Sequence, residues 1–433
     1  MARIRALALR ATKTCGVAAA FVACVASTAL GQTQADSAAS APPARAIDFA
    51  MEEHPTVRFG SALEVRLRAR IESSFRRYSL EPDVIDNDSE WRRRRVQVEG
   101  ELFKKLEFEF SHEFGDPPEP ERDAFVNLRL RRSFEVQGGR FKMPFGRDVH
   151  IAGANLDLIQ RSALGRRVAP GRDVGMMVHG RSRGRLFTYQ AGYFIGDGDN
   201  ARSTTGRGAD HAVAGRALVS PFARTKIRWA EPFRFGVAAA RSHLDNVLGV
   251  RAHSVFDDSI VIDRTFVNGT RWRLGLEGEW ERGPVSLAGE YASLRDQRIG
   301  MGLDGGDLPE LGTHAWYVSG AWVVTGEEKR GRIEPRRSVL KGGLGAVEVA
   351  ARLERIDLTP GAVTATIPGA PLLSLPLPNG ARITTFGASW FLHTRVKVQG
   401  NFIIEDFDDP ARSPVPRRNG RLTSGFLNLQ FVL

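Results

Sequence analysis

Residues Leu63–Glu72 read LEVRLRARIE, and this stretch decides the fold. Apolar and charged residues alternate strictly along it. A helix would distribute the charges around its circumference, whereas a β-strand places alternate side chains on opposite faces. The stretch therefore predicts a strand with one apolar face and one charged face.

The same alternation continues along most of the chain. Further examples are Val96–Glu99, Leu106–Phe110, Val126–Arg131, Arg271–Glu277, Val396–Gln399 and Leu427–Leu433. We count about sixteen such segments of roughly nine to fifteen residues, which are the even number and the length of strands in bacterial outer-membrane barrels. A secreted β-sandwich also alternates, but the strand count favours the barrel. No apolar run after the N-terminal region approaches the roughly 18 residues of a membrane helix.

The connections between the predicted strands alternate between short and long. Short connections fall at Lys104–Lys105, Arg132–Ser133, Ser182–Gly184, Arg282–Pro284 and His393–Thr394. Long connections fall at Arg77–Glu90, Met143–Arg172, Gly196–Asp210, His243–Asn268, Arg295–Leu311, Asp357–Ala381 and Asp406–Asn419. This asymmetry is typical of periplasmic turns opposed to extracellular loops. Two connections on the short side, Pro221–Pro232 and Gly326–Gly342, are long and depart from the pattern.

Energetics assign the two faces of the strands. An Arg or Lys that faces lipid costs about 2 to 4 kcal/mol at the bilayer midplane. The charged face must therefore line water, and about sixteen strands enclose a water-filled channel. The sequence predicts an all-β protein, a transmembrane antiparallel β-barrel.

The N-terminal region has the pattern of an export signal. Residues 1–31 combine a basic start, an apolar stretch and small residues at Ala29 and Gly31. We predict cleavage before Gln32, a flexible periplasmic leader over residues 32–55, and the barrel over residues 56–433. A lipoprotein signal ending at Cys24 is the alternative, although Phe21–Cys24 is a poor match to that signal.

Removal of this signal changes the chemistry of the chain. Both cysteines, Cys15 and Cys24, lie within it. We therefore expect a mature chain without disulfides, thiol nucleophiles or cysteine-based metal sites. Removing the four cations of the signal from the net charge of +11 leaves +7. That surplus indicates an anionic partner.

An ordered set of segments resembles the phosphate-selective porin O and P family. The segments are Trp91–Val96 with Glu99–Gly100, Gly139–Gly146, Gln160–Ser162, Gly171–Gly175, Gly192–Asp199, Ala321–Glu327 and Ala346–Leu358. The resemblance implies a passive channel of the bacterial outer membrane, a homotrimer, and uptake of phosphate, polyphosphate or similar small anions. Two features differ from the family: the chain ends in Leu433 rather than Phe, and Asp148, Asp157 and Asp173 reduce the positive charge of one long loop.

That loop, Met143–Arg172, joins the fifth and sixth strands and is the third extracellular loop. The resemblance implies that it folds into the barrel and constricts it. Rings of Arg and Lys select anions in pores, and guanidinium groups bind phosphate through paired hydrogen bonds. The predicted anion pathway comprises Arg129, Arg131, Arg140, Lys142, Arg161, Arg166, Arg167 and Arg172.

Two questions about these cations stay open at the level of sequence. The loop arginines could instead be solvated, or bind lipopolysaccharide phosphates outside the pore. Arg140 and Lys142 share the strand parity of Val136 unless Gly138–Gly139 forms a bulge.

Other functions remain as alternatives. One is a porin that is weakly selective or takes another solute. Another is a barrel enzyme, which needs a Ser or Asp beside a His; most of the nine histidines are assigned to loops, at His150, His211, His243, His253 and His314. Asp197, Asp199 and Asp210 could hold a cation, although turn formation is favoured. We expect no catalytic residue, metal, cofactor or nucleic-acid partner, and contact with outer-membrane lipid and lipopolysaccharide.

Overall fold

The computed structural model describes residues 47–51, 54–78, 86–114, 121–199, 209–250, 252–254, 260–262, 265–302, 305–329, 331–360, 378–413, 415 and 419–433. The predicted export signal, residues 1–31, lies outside the described residues, as does most of the predicted leader.

The described part of the chain is built from β-strands. In chain order they are β1 (Ile47–Met51), β2 (Pro55–Phe59), β3 (Leu63–Tyr78), β4 (Asp86–Leu102), β5 (Leu106–Glu113), β6 (Glu121–Arg131), β7 (Phe134–Lys142), β8 (Arg172–Arg181), β9 (Phe187–Phe194), β10 (Ala209–Val219), β11 (Arg234–Leu248), β12 (Ala252–His253), β13 (Ile260–Ile262), β14 (Phe266–Arg282), β15 (Val285–Arg298), β16 (Leu308–Val323), β17 (Ala346–Pro360), β18 (Asn379–His393), β19 (Val396–Phe407) and β20 (Arg421–Val432).

Sixteen of these strands close into one antiparallel barrel. Each strand from β3 to β10 pairs with the next strand in the chain. Strand β11 pairs with β14, and the pairing then continues in chain order to β20. The barrel closes where β20 pairs with β3, from Ser424 opposite Tyr78 to Val432 opposite Arg70. The predicted fold class is confirmed.

The remaining four strands form two hairpins outside this circle. β1 pairs with β2, and β2 pairs with β3 over Leu63 to Arg66, just beyond the end of the β20 pairing. β1 lies inside the span predicted as leader, and its sequence IDFAM has only one polar residue, so it lacks the alternation by which the other strands were predicted. β12 and β13 pair with each other within the connection from β11 to β14.

The two faces of the barrel strands differ as the alternation predicts. In β14, Leu274 and Leu276 are more than half exposed, whereas Arg273, directly before Leu274, is fully buried. Leu427 and Leu429 of β20 are likewise half exposed, while Asn428 is buried. We call these the apolar face and the polar face. Exposed leucines on a regular period are what a lipid-facing surface requires.

The connections also follow the predicted asymmetry. Those on one side are as short as two residues, at Arg132–Ser133, Gly283–Pro284 and Thr394–Arg395. The two long exceptions on this side are residues 220–233, which we call the β10–β11 link, and residues 324–345, which we call the β16–β17 link. Within the described residues, no helix is long and apolar enough to cross a membrane.

Candidate functional site

The loop between β7 and β8, residues 143–171, is a folded unit with its own apolar core. Short helical turns form at Arg147–His150 and Leu164–Val168. Met143 and Val168 are fully buried, and Phe145 is 1% exposed. An exposed surface loop would leave such side chains in water. The packing therefore indicates that this loop lies against other parts of the protein.

The first part of the loop is bound by strand β15. The carboxylate of Glu290 accepts hydrogen bonds from the backbone N–H groups of Arg147 and Asp148, the latter at 2.8 Å. It also accepts one from the hydroxyl of Tyr317 at 2.7 Å. Gly146 precedes this contact with φ of 70°, and a Cβ there would lie 2.7 Å from Glu290 Oε1. Glycine is required at position 146 for both reasons.

The middle of the loop is held through its carbonyl oxygens by side chains on the polar face. Lys397 Nζ donates to Ala154 O at 3.0 Å and to Leu156 O at 3.2 Å. Arg70 Nη2 donates to Gly153 O at 2.8 Å. Lys397 is the second residue of β19 and follows a two-residue turn. The middle of the loop thus contacts the end of the barrel that carries the short connections.

The last part of the loop contacts β17 and β14. The carboxylate of Glu354 accepts from Ala163 N at 2.5 Å, and Arg352 Nη1 donates to Gln160 O at 3.0 Å. Arg273 Nε donates to Val168 O at 2.9 Å. A small cavity of about 30 Å³ remains between the loop and strands β16 and β17, with Arg147, Asp157 and Arg352 in its lining.

The β16–β17 link, which is on the side of the short connections, contacts the same loop. Lys329 Nζ donates to Asp157 Oδ1 at 2.7 Å and also contacts the Glu348 carboxylate. Burial alone would lower the pKa of Lys329, but Asp157 and Glu348 together raise it above its ordinary value. The backbone N–H of Lys329 donates to Gly283 O at 2.8 Å, so the lysine is fixed at both ends.

We predict that this contact can be captured by chemical cross-linking. In the variant Asp157→Cys/Lys329→Cys, a short thiol-reactive cross-linker should join the loop to the link, because the two side chains touch. Outside residues 1–31, which contain both native cysteines, the cross-linker has no other thiol to react with. The pair Asp157→Cys/Arg131→Cys is the matched control. Equal cross-linking of the two pairs, read by mass spectrometry of the digested protein, would contradict the contact.

The predicted pathway residues divide into two groups in the structure. Lys142 Nζ and Arg161 Nη2 both donate to the carbonyl oxygen of Ile151, at 3.4 and 2.6 Å. Arg172 lies nearby but forms a bidentate pair with Asp123, from Nε and Nη2 at 3.1 and 2.9 Å. The structure therefore brings Lys142 and Arg172, at the two ends of the loop, close to Arg161 within it.

The other residues of the predicted anion pathway make different contacts. Arg129 is paired with Glu101 and Glu107, and Arg140 with Asp199 at 3.2 Å. Arg131 is exposed at the end of β6. Arg166 Nε donates to Arg161 O at 3.0 Å, and Arg167 is half-buried beside it.

The open question about strand β7 also has an answer. Its register with β8 runs without interruption from Glu135 to Lys142, so no bulge displaces the pairing at Gly138–Gly139. Gly139 nevertheless has φ of 128°. The nitrogen of Lys142 contacts the loop carbonyl described above despite its parity with Val136.

Sequence reasoning missed four further arginines close to Lys142 and Arg161. Arg70 and Arg92 share the carboxylate of Glu72, with Arg92 Nη1 at 2.9 Å. Arg93 and Arg95 share Glu113, at 3.6 and 3.1 Å. Two cations on one carboxylate leave an excess of positive charge. We call Arg70, Arg92, Arg93, Arg95, Lys142, Arg161 and Arg172 the cation cluster.

Arg161 experiences the field of this cluster. Burial lowers its pKa from the usual value, Asp148 opposes that effect, and Arg172, Arg70 and Arg93 lower the pKa further. Its Nη1 is buried and has no hydrogen-bond partner among the described residues. An unsatisfied buried donor is costly, so a bound anion or water at this nitrogen would be stabilised.

A buried ion-pair network joins the connection that follows β9 to strands β14 and β15. Asp197 follows β9 and accepts from Arg271 Nη1 at 2.6 Å and from Arg273 Nη1 at 2.5 Å. Burial would raise the pKa of Asp197, but Arg273 and Arg271 hold it well below its ordinary range. Arg271 has a second partner in Asp296 at 2.5 Å. Asp197 is thus an ion-pair anchor, and neither the predicted turn former nor a cation ligand.

We predict that Asp197→Asn lowers the free energy of unfolding by about 3 to 5 kcal/mol, because it leaves the buried Arg273 without a carboxylate. In the unaltered protein, this contribution is present above the unfolded carboxyl pKa of about 3.9 and is lost as pH falls through the lower folded pKa. Denaturant unfolding of the purified barrel measures both. The control Asp406→Asn breaks an exposed pair with Arg421 and should leave the free energy of unfolding nearly unchanged. Similar losses for both variants would contradict the anchoring role.

The histidines differ from their predicted positions. His211, His243 and His314 lie in strands β10, β11 and β16 rather than in loops. The alternating pattern of those strands extends further towards the long connections than the sequence suggested. Within the described residues, no histidine is hydrogen bonded to a serine or a carboxylate, and no three metal-ligating side chains are grouped.

Comparison with known proteins supports a porin architecture. Residues 65–431 match the family model described as phosphate-selective porin O and P. The fold is similar to a loop L8 deletion mutant of OmpT, an outer membrane protein of Vibrio cholerae, with a TM-score of 0.56, 10% identity, and coverage of 86% of this chain and 100% of that chain. It is also similar to the anion-selective porin from Comamonas acidovorans, with a TM-score of 0.54, 14% identity, and coverage of 86% and 100%. A search of curated proteins finds no significant match.

Proposed function

Because the chain belongs to the phosphate-selective porin O and P family, we propose that its barrel is an anion-preferring diffusion channel for phosphate, polyphosphate or similar small anions. The barrel supplies the water-filled path, and the β7–β8 loop narrows it. The proposed direction of travel is from the outside towards the periplasm, along the concentration gradient of the anion.

One observation carries the proposal: Lys142 and Arg161 converge on a single backbone carbonyl, with no carboxylate bound to either among the described residues. Both side chains have N–H groups that can still donate to a phosphate oxygen, above all Nη1 of Arg161. A guanidinium group and an ammonium group together suit an anion that must lose part of its hydration shell. The remaining arginines of the cation cluster add to the positive potential at the same place.

The proposed constriction rests on the contacts of the β7–β8 loop. A loop that starts between two neighbouring strands and hydrogen bonds to β3, β15, β17 and β19 must extend over the barrel opening or through its interior. Its partners are polar-face side chains, including Lys397 next to a short turn. These contacts favour the interior, where the loop would bring the cation cluster close to a permeating ion.

The rest of the proposal concerns the setting of the channel. We place the protein in the bacterial outer membrane as a homotrimer, after removal of residues 1–31, with lipid around the apolar faces and lipopolysaccharide at the long loops. The family is one of channels, so the proposal includes no enzymatic activity. A weakly selective porin is the remaining alternative.

The test is single-channel recording in a planar bilayer with a salt gradient. We expect the sign of the reversal potential to show a preference for anions. We also expect added phosphate to inhibit the chloride current. A weakly selective porin would give a reversal potential near zero and no inhibition. A cation-selective reversal potential would overturn the proposal.

A further inference from the structure

The β10–β11 link combines exposed cations with exposed aromatic residues. Arg224, Lys226 and Arg228 are exposed, and Glu231 is the one acid in this stretch of sequence. Ile227, between Lys226 and Arg228, is 49% exposed, and Trp229, directly after Arg228, is 63% exposed. Such large apolar side chains beside three cations are unusual in a turn that only has to connect two strands.

The link has a defined conformation. The backbone N–H of Thr225 donates to Phe222 O at 2.9 Å, and that of Ala230 donates to Ile227 O at 3.0 Å. Phe233 N then donates to Ala230 O at 3.0 Å. These consecutive turns hold the exposed side chains in a fixed arrangement.

The aromatic residues continue the apolar face of the barrel. The ring of Phe233 stacks on Phe235, with centroids 5.9 Å apart, and Trp229 packs edge-on against it at 6.2 Å. Trp280 Nε1 donates to Trp229 O at 2.7 Å. Phe235 is 44% exposed and precedes Val237 on the lipid-facing side of β11. The link therefore packs on the outside of the barrel, at the end with the short connections.

The cations of the link are available to a partner. Among the described residues, neither Lys226 nor Arg228 forms an ion pair, and Arg224 Nη2 only approaches Arg183 O at 3.4 Å. The nearby carboxylate of Glu279 is already bound by Arg147 at 2.5 Å and by Arg234. The surface thus carries three cations against the single acid Glu231, and no ion pair among the described residues neutralises Lys226 or Arg228.

We propose that the β10–β11 link binds anionic glycerophospholipid headgroups in the periplasmic leaflet of the membrane. Tryptophan locates at the level of the headgroups, and outer-membrane barrels carry girdles of aromatic residues there. Trp229 and Phe235 continue the lipid-facing surface into this zone. Arg224, Lys226 and Arg228 then lie at the depth of the lipid phosphates, which they attract. This binding site is independent of the anion preference of the channel.

The experiment uses tryptophan quenching in reconstituted vesicles. Unaltered protein and a Trp229→Phe variant are placed in phosphatidylcholine vesicles that contain a minor fraction of brominated phosphatidylglycerol or brominated phosphatidylcholine. The difference between the two proteins isolates Trp229. We expect about twofold stronger quenching of Trp229 by the anionic lipid at low salt, and loss of this preference when salt screens the charges.

Two variants make the assignment specific. Arg224→Gln/Lys226→Gln/Arg228→Gln should abolish the preference, because the headgroup loses its cationic partners. The matched control Lys104→Gln/Lys105→Gln/Arg132→Gln removes the same charge from exposed short turns at the same end and should keep it. Equal quenching by both lipids in the unaltered protein would overturn the proposal. So would protection of Trp229 from both lipids in an oligomer, since the surface would then be an interface between subunits.

Discussion

Deleting residues 152–169 should raise the single-channel conductance several-fold. The deleted segment is the part of the loop that contacts Arg70, Arg352 and Lys397 across the barrel. The remaining loop can still close, because Lys142 and Arg172 are already paired as neighbours in the sheet. The contacts of Glu290 with residues 147 and 148 also remain. Removing the obstruction should therefore enlarge the path without opening the barrel wall.

The control for this deletion is a shortened connection between β15 and β16, made by removing residues 301–306. Heat-modifiable mobility on gels shows whether each variant folds. Conductance of the loop deletion at or below that of the unaltered protein, in a correctly folded barrel, would place the loop outside the path. The same recording gives selectivity, which should weaken because the deletion removes Arg161.

The double substitution Lys142→Glu/Arg161→Glu should change the channel from anion-preferring towards cation-preferring. At about 5 Å and an effective dielectric constant near 20, one unit charge changes the energy of an ion by about 3 kcal/mol. Even a third of that interaction changes relative permeability several-fold, since about 1.4 kcal/mol corresponds to a factor of ten. The reversal potential in a salt gradient should change sign, and phosphate should no longer inhibit the chloride current.

The matched control is Arg183→Glu/Arg185→Glu, which makes the same charge change at an exposed short turn. It should move the reversal potential little, because exposed charges are screened by salt. If the first variant folds and retains the anion preference, the selecting charges lie elsewhere. Arg70, Arg92, Arg93 and Arg95 are then the next residues to exchange.

The barrel was predictable because each strand carries its own evidence. The apolar and charged residues of β3 alternate strictly from Leu63 to Glu72, so no distant contact is needed to assign its two faces. The alternating connection lengths then gave the topology. The same local evidence did not account for the length of the β10–β11 and β16–β17 links, which contact Trp280 and Asp157, residues far from them in the sequence.

The site was less predictable because charge pairing depends on distant parts of the chain. Arg172 looked as available as Arg161, but only Arg172 meets a carboxylate, from Asp123 in β6. Residues Arg92–Arg95 are four consecutive arginines, so no alternation of apolar and charged residues shows which of them face the barrel interior. In the structure β3 and β4 shift register between Glu72 and Ser73, which leaves Arg92 unpaired in the ladder. That bulge lets Arg92 reach Glu72 although Arg93 is also directed to the polar face.

The seam of the barrel has a consequence for folding rate. Ser74 Oγ donates to Asn428 Oδ1 across it, at a sequence separation of 354 residues. Until β20 reaches β3, both strands have an open edge, and open edges promote aggregation. Contacts of such high order form slowly because a long chain must first be restricted. The chain is therefore exposed to aggregation until β20 meets β3, and variants that weaken the seam should close the barrel more slowly.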